Sequence, residues 1–422
     1  MEHSTISFSN LFLSQKYIIL FLGNIVSGVA IVVFNLLLAN TFSQDEFGIL
    51  IFVISISIIS SQLIIFGSTG FFLNQFGLKN HNQAILHEQF LSYLLLNFFL
   101  LLCLSFLFTF LFNEQISFLL QMIFVTYVVA QVFLEINILI TQITNNFFKQ
   151  SIILFIPHLL RIIAITSSIF LFDISSFNTI LIFILLANLL SIFILFFQNI
   201  DRISRFIKRA FKSILKNYLS FLKSIKGFGI YELLFLSYTQ VPLIFLGILF
   251  NFDKVAIYSI VITISTIFIL PSGVFTKAYH PLLQQNANKG NKAHKATVLK
   301  FLKSMLLLGL IMGTLSLVLG SLMPIFFLDE SYSTSSDLIK IMSIFIFIRY
   351  LNAAISSSFY LKDYINMMAF FMFIIIIIQF IFIYILFVFG IFNLFYLTYL
   401  SIALEGMFFI ICACYLYKRI LN

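Results

Sequence analysis

Twelve stretches of predominantly apolar residues, each about 20 or more long, run through this chain, and no other feature restricts its fold as strongly. A helix rising 1.5 Å per residue needs about 20 apolar residues to cross the hydrocarbon core of a bilayer. The runs are 17–39, 47–72, 90–112, 116–140, 151–172, 177–197, 228–250, 255–275, 304–328, 338–360, 365–389 and 393–416. Water does not reach that core, so the backbone must satisfy its own hydrogen bonds there, and runs of this length do so as α-helices. The fold class is therefore all-α and polytopic, with about twelve transmembrane helices. Composition agrees: 61% of the 422 residues are hydrophobic and 9% charged, too few charges for a soluble surface.

Pro157, Pro242, Pro271 and Pro324 fall within or near these runs. In a membrane such prolines kink a helix rather than end it, because neighbours take up the freed carbonyls. Cys103, Cys412 and Cys414 lie in apolar runs without the histidine spacing of a metal site, so they read as packing residues. The first run spans a bilayer and lacks a cleavage site followed by a soluble domain, so it is expected to stay as the first helix. No Walker lysine motif is present, and neither a cofactor nor a nucleic-acid partner is expected.

Lys and Arg are retained on the cytoplasmic side of a membrane. With the N-terminus inside, 20 of the 24 fall in inner loops and tails, so both termini are expected in the cytoplasm. The longest polar stretch joins the sixth and seventh runs. Arg202, Arg205, Lys208, Arg209, Lys212 and Lys216 there surround Ile203, Phe206, Ile207, Ala210 and Ile214 at helical spacing. Such a basic amphipathic helix is suited to anionic membrane lipids on the inner leaflet, or serves as a positive topogenic loop only.

The chain also repeats itself. Asp45-Glu-Phe-Gly-Ile, with Ser55 and Ser57 following, parallels Asp253-Lys-Val-Ala-Ile-Tyr, with Thr263 and Ser265, at a constant offset of 208 residues. The offset carries six helices, an even number, so the halves share orientation. This predicts an N-terminal six-helix lobe (1–200), a basic linker (201–226) and a C-terminal six-helix lobe (227–422), with a cavity between the lobes.

Ionisable side chains inside the runs cost about 2.5 to 3.5 kcal/mol each on insertion scales and are functional candidates by default, and five stand out. They are Arg161, Arg349, Glu135, Glu232 and Glu405. Polar groups accompany them at helical spacing: Arg349 with Asn352, Ser356 and Tyr360; Glu135 with Gln121, Gln131 and Gln142; Arg161 with His158 and Ser168. The first run adds Asn24, Gly28 and Asn35. Such stripes fit a wet interior lined by several helices. The plainer alternative is that the arginines are locked to Glu135 or Glu405 and pin helices together, and that His158 bonds a carbonyl freed by Pro157.

The segment FNLLLANTFSQDEFGILIFVISISIISSQLIIFGSTG, and its counterpart VPLIFLGILFNFDKVAIYSIVITISTIFILPSGVF leading into YHPLLQQNANKGNKAHK, resemble the O-antigen and capsular polysaccharide flippases. These belong to the multidrug, oligosaccharidyl-lipid and polysaccharide exporter superfamily. The resemblance implies a two-lobed, twelve-helix transporter of the bacterial inner membrane. It would move an undecaprenyl-pyrophosphate-linked oligosaccharide from the cytoplasmic to the outer leaflet for O-antigen, lipopolysaccharide or capsule assembly, beside a polysaccharide polymerase and a chain-length regulator. On that reading Arg161 and Arg349 face the cavity from opposite lobes and hold the pyrophosphate, since a guanidinium offers paired planar donors with permanent charge. Asn352, Ser356, Asn24, Asn35, Gln131 and His158 would line the sugar path, and Glu135, Glu232 and Glu405 would couple transport to an ion.

Two other classes compete. A cation-coupled drug exporter of the same fold would favour acids and aromatics over mid-span arginines. A membrane glycosyltransferase or O-antigen polymerase would need an extended outer loop, whereas the longest here is roughly ten residues around Asp329 to Asp337, with no paired-carboxylate motif, so the chain is not expected to be an enzyme.

Overall fold

The computed structural model describes residues 15–71, 97, 99–101, 103–112, 116–144, 146–170, 176–198, 200–287, 291–359 and 364–418, with the backbone alone at 15–17, 200–221 and a few scattered positions. Among them the regular structure is entirely helical: α1 (Gln15–Thr41), α2 (Gln44–Ile65), α3 (Phe99–Phe112), α4 (Phe118–Ile143), α5 (Phe147–Phe170), α6 (Phe177–Phe197), α7 (Ile200–Leu249), α8 (Phe252–Ala287), α9 (Asn291–Leu315), α10 (Ser333–Phe359), α11 (Ile365–Val388) and α12 (Leu394–Leu416). Eleven of these helices contain a stretch long and apolar enough to cross a membrane. The third predicted run begins outside the described residues, and α3 is its shorter apolar remainder.

Local chemistry sets the helix starts. Ser43 caps α2: its hydroxyl accepts from the Glu46 N–H at 3.3 Å while the Glu46 carboxylate accepts from the Ser43 N–H at 3.1 Å. Asp45 and Glu46 also set negative charge against the positive end of the helix dipole. Asp253 does the same in the first turn of α8. Helices α2 and α8 begin at Gln44 and Phe252, 208 residues apart, which is the offset read from the repeated segments.

Most hydroxyls inside the apolar helices bond their own helix. Ser57 donates to the Val53 carbonyl, Ser191 to Ala187, Thr266 to Ile262 and Thr398 to Leu394, all four residues back. A hydroxyl satisfied this way can sit in hydrocarbon without a partner helix. The four singled-out prolines stand inside helical segments, as expected. Pro324 follows a π-helical turn, Ser316–Gly320, that carries α9 on into Ser321–Phe327. There the Ser336 hydroxyl of α10 donates to the Ser321 carbonyl at 2.7 Å. The basic segment expected between the sixth and seventh helices is helical and continuous with α7, whose membrane-crossing part is Leu222–Leu249. The side chains of Arg202 to Lys216 lie outside the described ones.

Two compact units emerge. One comprises Met1–Leu36, Phe147–Phe155 and Ile257–Asn422; the other comprises Leu37–Asn146 and Ile156–Ala256. Compactness groups helices by packing, whereas the repeat-based lobes group them by symmetry. Within the second unit, α2 ends in two residues of left-handed backbone, Phe66 (φ 38°) and Gly67 (φ 68°). Here α7 comes so close that a Cβ on Gly67 would collide with the backbone of Phe228 and Gly229. In the first unit Gly390 has nearly the same dihedral, φ 63°, with open space where its Cβ would be.

This pair isolates close packing from conformational preference. Gly390→Ala should cost only the left-handed backbone penalty, about 1 to 2 kcal/mol. Gly67→Ala adds the collision and should lower the thermal midpoint of the purified protein clearly further. Equal shifts for the two variants would show that α2 and α7 do not approach as described.

Candidate functional site

Among the described residues the intramembrane charges fall into separate groups: Arg349 with Glu405 in one compact unit, and Arg161, and Glu135 with Glu232, in the other. In the unit containing α10 and α12, Arg349 Nη1 lies 3.0 and 3.1 Å from the two carboxylate oxygens of Glu405. Asn352, one turn beyond Arg349, donates its Nδ2 to Glu405 Oε1 at 2.7 Å and to the Glu405 backbone carbonyl at 2.9 Å. Glu405 is 1% exposed and the Arg349 side chain 13%. The i, i+3 spacing of Arg349 and Asn352 thus puts both on one acid, and the buried positive charge is compensated where it stands. Of the two readings open for Arg349, this geometry fits the one in which it pins α10 to α12. Ser356 points back into its own helix, donating to the Ala353 carbonyl at 3.4 Å, and Tyr360 lies outside the described residues.

The same unit holds the expected polar groups of α1. Asn35 is buried and donates to the Thr263 hydroxyl of α8 at 3.0 Å, while Asn24 bonds the Leu20 carbonyl of its own helix at 2.7 Å. Two tyrosines tie α8 to the helices around it. Tyr350 donates to the Phe268 carbonyl at 2.7 Å, and the Tyr258 hydroxyl meets that of Ser401 at 3.1 Å.

In the other unit Arg161 of α5 is 4% exposed, yet no acid stands within 4 Å of it among the described residues. Its Nε donates to Asn188 Oδ1 of α6 at 2.9 Å, and its guanidinium carbon sits 4.3 Å from the centre of the Tyr127 ring of α4. Stacking of this kind contributes about 0.5 to 2 kcal/mol but leaves the net charge in place. Gln131 and Glu135 follow Tyr127 at four-residue steps, so the three share one face of α4. Glu135 is within electrostatic reach of Glu232 on α7, and Glu232 Oε2 accepts from Gln62 of α2 at 3.0 Å. Gly70 leaves the room that the other Glu232 oxygen occupies. Neither Gln131 nor His158 has a hydrogen bond among the described residues, so the Pro157-freed carbonyl is not what holds His158.

Sequence reasoning named Arg161 but missed Asn188, Tyr127 and Gln62 as the residues around it and Glu232. Asn188 carried a faint signal, one amide in the apolar helix FNTILIFILLANLLSIFILFF with Ser191 one turn on. Tyr127 carried none, because an aromatic among apolar residues reads as lipid-facing.

The fold on which these clusters stand resembles that of solved MOP superfamily transporters, MATE family members among them. The MATE multidrug transporter DinF-BH superposes with a TM-score of 0.66 over 98% of this chain and 96% of its own, at 15% identity. A MOP superfamily transporter from Pyrococcus furiosus, described by the reverse polarity of its binding pocket, gives 0.65 over 96% and 95%, at 11% identity. The inward-facing form of a MATE family multidrug transporter gives 0.59 over 96% and 94%, at 12% identity. Neither a protein-family model nor a curated protein matches the chain. At these identities the likeness defines the fold. The solved neighbours so described are transporters.

The Arg349–Glu405 pair makes a double-mutant test. Removing one partner of a buried ion pair typically costs about 3 to 5 kcal/mol, because the other charge is left unpaired. Arg349→Ala should therefore lower protein abundance and thermal midpoint sharply. Arg349→Ala combined with Glu405→Ala should recover most of that loss. A double variant no better than the single one would show that the two charges do not compensate each other.

Proposed function

We propose that this chain is a secondary exporter that carries an anionic substrate, an undecaprenyl-pyrophosphate-linked oligosaccharide, from the inner to the outer leaflet of a bacterial inner membrane. The single observation behind the anionic substrate is Arg161, a buried positive charge among α4, α5 and α6 with no acid beside it among the described residues. A cationic cargo would be repelled from it, and a phosphoryl group drawn to it. The resemblance of the repeated segments to polysaccharide flippases supports the same reading. With no Walker lysine motif in the sequence, the driving force would be an ion gradient, the membrane potential or the substrate gradient. The proposal includes the two symmetry-related lobes, with both termini in the cytoplasm.

A second reading, a cation-coupled exporter of drugs or other small molecules, has the closer structural precedents, since solved neighbours are described as multidrug transporters. Glu135 and Glu232, two carboxylates within electrostatic reach of each other, are the residues here that suit it. Deletion of the gene separates the two. The flippase reading expects a lipid-linked glycan to accumulate in the inner leaflet and surface O-antigen or capsule to fall. Unchanged surface glycan with raised sensitivity to cationic dyes would favour the drug exporter instead.

The topology is checked independently. Cysteine substitutions at Asp253 and Asp329 should be labelled by an impermeant reagent from outside the inner membrane, and one at Lys418 should be labelled only after permeabilisation. The reverse pattern would overturn the orientation and with it the proposed direction of transport.

A further inference from the structure

We propose that α4, α5 and α6 build an oxyanion-binding site whose donors are the two Nη groups of Arg161 and the side-chain amide of Asn188, set on the ring of Tyr127. A guanidinium carries five N–H donors and no acceptor. Among the described residues only the Nε donor of Arg161 is used, in its 2.9 Å bond to Asn188 Oδ1. That bond also fixes which way the Asn188 amide faces: its oxygen is turned to Arg161, so its NH2 must point elsewhere. Asn188 is fully buried, and its Nδ2 has no hydrogen-bond partner among the described residues.

The result is a cluster with more donors than acceptors, carrying a positive charge with no acid within 4 Å among the described residues. A buried donor left unmade is costly, and a charged one more so. A purely structural role for Arg161 is poorly served by such a cluster. The Arg349 cluster shows what a structural arginine looks like in this same chain, with both oxygens of Glu405 turned to it. The chemical complement of planar, unused N–H groups beside an amide NH2 is an oxygen-rich anion, and a phosphoryl group offers such oxygens in the paired geometry a guanidinium prefers. Tyr127 holds the guanidinium by its face at 4.3 Å, which leaves the edge bearing the Nη groups for the ligand. Asn188 is the specificity residue of the site, since an acid in its place would occupy Arg161 permanently. The inference rests on the exporter reading for the carrier of that phosphoryl group, though not for the binding itself.

The test uses the full chain in nanodiscs and inorganic pyrophosphate as the probe, with chloride at matched ionic strength as control. In phosphatidylcholine discs pyrophosphate should raise the thermal midpoint of the wild type in a saturable way. Asn188→Asp is isosteric and creates an Arg161–Asp pair, so it should fold with an equal or higher midpoint while losing at least tenfold in pyrophosphate affinity. If that variant does not accumulate, Asn188→Ser, which keeps a hydroxyl acceptor for Arg161 but lacks the amide donors, should weaken binding about tenfold.

Phosphatidylglycerol discs identify the source of the anion. Loss of the pyrophosphate response there means that a lipid phosphodiester occupies the site; its persistence means that the site prefers a terminal phosphoryl group. No saturable response from the wild type, or an unchanged response in Asn188→Asp or Asn188→Ser, overturns the proposal. The flippase reading fails by a different result, a deletion strain that accumulates no lipid-linked glycan, and that result would leave a pyrophosphate-binding site standing.

Discussion

Hydrocarbon offers no hydrogen bonds, and every other feature of this protein follows from how its polar groups are satisfied in that solvent. The backbone meets the requirement through helices. Most serine and threonine hydroxyls meet it within their own helices, as Ser57 and Thr398 do, while Ser336 and Ser27 reach a neighbouring one. Asparagine, glutamine and the charged residues are longer, and they reach across to other helices: Asn35 to Thr263, Gln62 to Glu232, Asn352 to Glu405. Helix-to-helix specificity in this chain is written mainly in those few longer side chains, because its apolar surfaces are chemically alike and lipid competes for them equally.

Set side by side, the two buried arginines show that burial and charge alone do not define a functional residue. Arg349 and Arg161 have the same side chain and similar depth in their sequence runs. One finds a carboxylate with both oxygens turned to it, the other an amide oxygen and a ring face. The difference is one of accounting for charge: among the described residues the first arginine has an acid within 4 Å and the second has none. The acids divide in the same way, Glu405 being matched by a cation and Glu232 by the neutral Gln62 with Glu135 nearby.

How much of this was legible beforehand depends on the range of the interaction. The helices were readable from apolar runs, and α6 and α12 came out within a residue of the expected limits, because spanning a bilayer is a local requirement of length and hydropathy. Helix α2 begins at Gln44, three residues before the expected 47, because its capped first turn is too polar to count in an apolar run. The shared face of Arg349 and Asn352 followed from helical spacing. What the spacing could not supply was the partner, 53 residues further on, and the same holds for Asn188, which is 27 residues from Arg161. The π-helical turn at Ser316–Gly320 left no mark that distinguishes it from the apolar helix around it, and the continuity of the basic segment with α7 was hidden by the change from apolar to amphipathic patterning.

The ion pair between α10 and α12 also has a history in time. Arg349 and Glu405 are 56 residues apart, and synthesis at about 5 to 20 residues per second puts roughly 3 to 11 seconds between their emergence. During that interval α10 has been delivered with a charge that no later helix has yet arrived to neutralise. Gln62 waits for Glu232 over 170 residues, several times longer, but as a neutral amide it is far easier to hold in the meantime. The spacing of the Arg349–Glu405 pair along the chain therefore makes α12 a clasp, and a nascent protein stopped short of it would present an unmatched arginine to the machinery that removes unfinished membrane proteins.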